Sequence, residues 1–198
     1  MVPQEPAHQQ GPLEIAAREK LSHVRHMDED ERWALSRRLM HDDLAVEDRF
    51  AGLLVLLYAQ SLTTVCQLPV TAVIVADSQT SLMLGDSPLL LPDPLDKLAR
   101  RLLARRRGHV TIGASSDSPW LFPGAFAGQP LSNEHLGTRL KRMGIYSRPG
   151  RTSALMGLST QLPAAVLTEL LGISPETATA WTQEGGNWER YAAERGRV

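Results

Sequence analysis

The chain has 198 residues, with 21 Lys+Arg against 22 Asp+Glu, a formal charge of −1 and 42% hydrophobic residues. That length suits one domain with a buried core, and the average apolar share excludes a wholly disordered chain. A single cysteine, Cys66, excludes an intrachain disulfide scaffold and a Cys-based zinc site; taken whole, the balanced charge also points away from a basic nucleic-acid binder.

The first 27 residues are polar and proline-rich, with no hydrophobic signal core, and are expected to form a flexible lead-in with some helix between Leu13 and Arg25. Residues 28–198 are expected to form the domain. Asp28 and Glu31 stand at capping-box spacing, so a helix should follow with Trp33, Leu35, Leu39 and Met40 inward, ending near His41. A second helix, Val46 to Gln60, is almost wholly apolar after Arg49 and belongs at the centre of a core. Its run Ala51–Ala59 is far shorter than the ~20 residues of a membrane span. A cytoplasmic protein without membrane contact is expected.

Thr71–Asp77 is β-branched and reads as a strand, followed by strands at Ser81–Leu84 and Pro88–Leu91 about a Gly85-Asp86-Ser87 turn. Pro92 to Arg107 reads as a helix stopped by Gly108. Residues 109–131 are loop-like. Ser132 should cap a helix to Met143, with further helices at Thr152–Thr160, Pro163–Leu171, Pro175–Thr182 and Asn187–Arg195. The fold class is α+β, mainly helical, with a small three-stranded antiparallel sheet.

The charge is unevenly spread. Leu91 to Arg151 holds 11 basic and four acidic residues, a net +7, and the remainder nets −8. Phosphate contacts need a local patch, not a basic whole. Candidate nucleic-acid-binding residues are Arg105, Arg106, Arg107, Arg139, Lys141, Arg142, Arg148 and Arg151; the alternative for Arg105–Arg107 is a solvated helix face. Val166–Trp181 also has a helix-turn-helix pattern. Gly172 would make the turn, with Ser174 capping and Pro175 opening a second helix that offers Glu176, Thr177, Thr179 and Thr182 to bases. The alternative is two small core helices joined by a glycine turn. His23, His26 and His41 lack a third partner at defined spacing, so neither metal nor cofactor is expected.

Four segments, in order, resemble the catalytic domain of tyrosine recombinases, the phage-integrase family: Arg49–Ala59, Thr71–Leu91 with the following Pro-Asp-Pro-Leu, Trp120–Gly124 with Gln129–Ser132, and Leu167–Ser174. The resemblance spans about residues 28–182. It implies double-stranded DNA as partner, with a homo-oligomer or a partner recombinase beside it, and a preceding core-binding domain for which only the lead-in is at hand. It also implies two arginines and a lysine stabilising a phosphorane, assisting histidines and a tyrosine nucleophile. The first arginine position falls near Thr63, and no Arg or Lys lies between Arg49 and Lys97. Gly85 and Asp86 occupy the lysine's turn. Arg151 fits the second arginine with a one-residue shift, the late histidine is Ile173, and the nucleophile position is near Thr182, with Tyr191 beyond it. Arg151 and Tyr191 are the remaining catalytic candidates. The expectation is a DNA-binding, catalytically inactive relative; the alternatives are a helix-turn-helix regulator or a protein-interaction module.

Overall fold

Helix α2, Val46–Tyr58, is the axis of the molecule, buried from Arg49 through Leu56. The computed structural model describes residues 27–77, 79–108, 118–126 and 128–183. Leu53, Leu54, Val55 and Leu56 are wholly excluded from solvent on successive faces. Burying a side chain of that size contributes about 1.5–3 kcal/mol, which is why an apolar helix takes the centre. Around it pack α1 (Glu29–His41), α4 (Leu95–Gly108), α5 (Asn133–Arg142) and α6 (Ser147–Gln161). The short α3 (Leu62–Cys66) and a 3-10 turn at Val70–Ala72 lead to the sheet, and α7 (Ala164–Leu171) precedes a helix, α8, that runs from 175 to 183.

Strands β1 (Val73–Val75), β2 (Thr80–Leu82) and β3 (Leu89–Leu90) form an antiparallel sheet in chain order, with Ile74 opposite Ser81 and Ser81 opposite Leu90. The α+β, mainly helical reading is therefore correct. β1 is shorter than the apolar run Thr71–Asp77 because the 3-10 turn after Pro69 takes up its first residues.

Helix α1 departs from its pattern. Asp28 occupies the cap position but its side chain makes no capping bond, so the capping box does not form; Glu29, Asp30 and Glu31 instead complement the positive end of the helix. Trp33, expected inward, is 43% exposed, and Arg32 takes the buried face with Ser36 and Leu39. The reason is polar. The Arg32 guanidinium donates to Leu56 O at 3.1 Å, near the end of α2, and stacks over the Trp33 ring at 4.8 Å. At the other end of α1, Arg49 is buried and donates through Nε to Leu39 O at 2.6 Å and through its second nitrogen to Met40 O. Cys66 lies in the core, and burial pushes its thiol up to about 11.

One contact ties the sheet to α4. Thr80, wholly buried in β2, donates its hydroxyl to Asp96 Oδ1, which also accepts from Arg100 Nε at 2.8 Å. The Thr80 hydrogen bond, then Arg100, holds the Asp96 carboxyl below the ordinary carboxylate range. Its stabilising effect is present above the unfolded value of about 4 and is lost as pH falls through the lower folded value. Asp96→Asn should cost about 1 kcal/mol at neutral pH and flatten the acid limb of urea midpoints against pH. Superimposable acid limbs for the two proteins would refute that role.

Candidate nucleic-acid interface

Ser132 caps α5 as expected, its hydroxyl accepting from His135 N at 3.2 Å. Leu136 and Leu140 turn one face of α5 into the core, and Arg139, Lys141 and Arg142 crowd its last turn, where cations suit the negative end of the helix. The chain then reverses sharply. Gly144 N–H returns to Lys141 O and Ile145 N–H to Leu140 O, both at 3.0 Å, with Gly144 at φ +84°, a conformation glycine supplies without strain. Ile145 is buried and anchors the reversal, while Tyr146 is 52% exposed.

Helix α6 begins immediately, five residues ahead of the expected Thr152. Pro149 falls within its first turn, where a missing N–H breaks no intrahelical bond. No side chain caps this helix, and no acid stands in its first turn. Its N-terminus, with the positive end of the dipole, therefore opens beside Lys141, Arg142 and Arg148, all three exposed. Among the described residues none of these three pairs with a carboxylate.

Most of the other cations of the basic segment are engaged, although Arg101 on α4 is exposed and pairs with no carboxylate among the described residues. Arg139 Nε lies 2.7 Å from Asp48 Oδ1 and Arg105 Nε lies 3.7 Å from Glu47 Oε1, both acids in the first turn of α2. Arg106 donates to Ser118 O at 2.8 Å and its guanidinium pKa is lowered by burial. Arg107 belongs to the same last turn of α4. Arg151 donates through Nε to Ala59 O at 2.8 Å, and burial lowers its pKa as well. Sequence position alone cannot separate the free cations from the paired ones.

The positions that the recombinase resemblance assigns to chemistry also have definite surroundings. Ala59 closes α2 in the left-handed region at φ +54°, and Gln60 Nε2 donates to Tyr58 O and to Leu171 O at 2.9 and 3.0 Å. Arg151 thus reaches α2 at Ala59, four residues before Thr63. Thr63 is exposed and accepts from Asn133 Nδ2 at 2.8 Å. Ile173 is buried in a second apolar cluster with Ala59, Ala154, Leu155, Leu167, Leu171 and Ala178.

The β2–β3 turn docks on the end of α7. Asp86 N–H and Ser87 N–H both donate to Glu169 O, at 2.8 and 3.1 Å, and the Ser87 hydroxyl donates to Glu169 Oε1 at 2.7 Å. Gly172, at φ +64°, ends α7 against Leu84 O. Beyond it, Ser174 Oγ accepts from Thr177 N at 3.4 Å, and Ala178 and Trp181 turn into the second cluster. Thr177 is half-buried with its hydroxyl bonded to Ser174, while Thr182 bonds back to Ala178 O. Tyr191, the helix expected over Asn187–Arg195 and the lead-in with His23 and His26 lie outside the described residues. Among the described residues no group of three or more His, Cys, Asp or Glu is placed to hold a metal ion, and no helix is long and apolar enough to cross a membrane.

No family model and no curated protein sequence matches the chain. Its fold is nonetheless similar to solved structures. One is the XerH site-specific recombinase bound to its difH substrate before cleavage, with a TM-score of 0.56 and 16% identity over 80% of this chain and 50% of that one. Another is XerH bound to a palindromic difH substrate after cleavage, with a TM-score of 0.58 and 14% identity over 86% of this chain and 52% of that one. The chain spans about half the length of those recombinases, and the shared fold is that of a tyrosine-recombinase catalytic domain.

Proposed function

We propose that this protein holds double-stranded DNA through its phosphates and does not cleave it. The observation that carries the reading is the trio Lys141, Arg142 and Arg148, exposed and without carboxylate partners, around the uncapped N-terminus of α6. A phosphate there meets three cations and the positive end of a 15-residue helix. The likeness to a recombinase solved on DNA supports duplex DNA as the partner.

The surroundings of the catalytic positions support the absence of cleavage. A phosphoryl-transfer centre needs preorganised cations around the scissile phosphate. Where the resemblance would place them, Arg151 is engaged with Ala59 O, the hairpin turn carries Gly85 and Asp86, and the histidine position is the buried Ile173. Burial raises the pKa of Tyr58, which disfavours its phenolate form. A partner recombinase beside this chain, or beside a homo-oligomer of it, would supply whatever strand exchange the assembly performs.

The test is fluorescence anisotropy on a mixed-sequence duplex with wild type and a Lys141→Gln, Arg142→Gln, Arg148→Gln variant. The triple variant should lose about 10-fold or more in affinity at low salt while keeping its helical circular dichroism. Wild-type affinity in the folded variant would overturn the proposed interface.

A further inference from the structure

The candidate interface is bounded by a row of alternating charge. Arg105 on α4 meets Glu47, its chain neighbour Asp48 meets Arg139 on α5, and Arg142 stands one helical turn beyond Arg139. Glu47 and Asp48 thus sit between two guanidinium groups at the edge of the free cations. Both acids are more enclosed than the partners they hold, with side-chain exposures of 28% and 15% against 50% for Arg105 and 27% for Arg139. Their place in the first turn of α2 gives each carboxylate a favourable interaction with the helix dipole even without its arginine. The acids are fixed, and the arginines come to them on long side chains.

We infer that Glu47 and Asp48 set the strength of DNA binding by occupying Arg105 and Arg139, which would otherwise extend the phosphate-contacting surface across α5 and α4. The inference rests on the phosphate-binding reading of Lys141, Arg142 and Arg148. Two carboxylates have two effects here. They compete directly with phosphate for the guanidinium donors, and they subtract two charges from the local field. The wild-type interface then releases counterions through three cations. Removing the two negative charges adds Arg139, contiguous with Arg142, and Arg105 beyond it.

The experiment compares wild type with Glu47→Gln/Asp48→Asn on the same duplex over a salt series. These amides keep the shape of the acids and one acceptor oxygen, and they remove the charge. The slope of log K against log salt should steepen by about 1.8, or about 0.9 for each released arginine, with tighter binding at low salt. Adding Arg105→Gln and Arg139→Gln to that variant should return the slope to the wild-type value. If circular dichroism shows the double variant unfolded, Glu47→Gln alone, at the more exposed site, should steepen the slope by about 0.9. A wild type that binds and a folded variant with an unchanged slope would overturn the inference and leave the DNA-binding reading intact. Binding by neither protein would overturn both. Binding by the variant alone would support the restraint by the two acids and overturn the wild-type interface of Lys141, Arg142 and Arg148.

Discussion

Gly85→Ala should lower stability by about 3 kcal/mol and detach the β2–β3 turn from α7. A Cβ at position 85 would lie 2.2 Å from Glu169 O and 2.8 Å from Gly172 N, and both are backbone atoms. No rotamer change relieves such a contact, so one of the two elements has to move. The movement breaks the bonds from Asp86 N–H and Ser87 N–H to Glu169 O. An overpacked contact costs about 1–3 kcal/mol and each lost hydrogen bond about 1 kcal/mol, so the figure above is the lower end of a range of about 3–5 kcal/mol. In a chain of this size the melting temperature should fall by roughly 6–12 °C. Ser87→Ala is the control: it removes one exposed hydroxyl contact and should cost under about 1 kcal/mol. A Gly85→Ala protein melting within about 2 °C of wild type would refute the packed turn.

Arg49→Met should be comparably damaging, by about 3 kcal/mol. The substitution preserves the apolar stem and removes the donors to Leu39 O and Met40 O, where α1 ends against the core. Terminal carbonyls have no intrahelical partner, and each one left buried and unsatisfied costs about 1–3 kcal/mol. Arg49→Lys should recover part of the loss, since an ammonium can serve one carbonyl but lacks the fork that serves both. Urea unfolding of the three proteins at neutral pH measures these differences. A Met variant within about 1 kcal/mol of wild type would show that the α1 terminus is satisfied by other means.

Much of the fold was legible in the sequence because its signals are local. The apolar run of α2, the Ser132 cap, the glycine stop after α7 and the Gly-Asp-Ser turn each act within a few residues of where they occur. The misreadings share a cause too. The helix expected from Thr152 starts at Ser147, because Pro149 is tolerated in a first helical turn. Trp33 reads as core on α1, but a carbonyl at the end of α2 draws Arg32 inward in its place. The short α3 follows a Ser61 cap whose hydroxyl accepts from Thr64 N at 3.1 Å, a sequence signal that marks only a single helical turn.

The candidate site was legible only as a charge total. The +7 segment located the cations, but whether a cation is free depends on acids far away in the chain. Arg139 and Arg105 are engaged by Asp48 and Glu47, and Arg151 and Arg106 by main-chain carbonyls at Ala59 and Ser118. The Gly144 reversal joins the last turn of α5, with Lys141 and Arg142, to the first turn of α6, with Arg148. No periodicity in the sequence announces that arrangement.

The salt dependence of wild-type binding to a mixed-sequence duplex tests the central claim most directly. Three phosphate-contacting cations predict a log–log slope of about −2.7, so affinity should fall about 40-fold between about 50 and 200 mM salt. A slope near zero, or no binding at the lowest salt, would contradict the account.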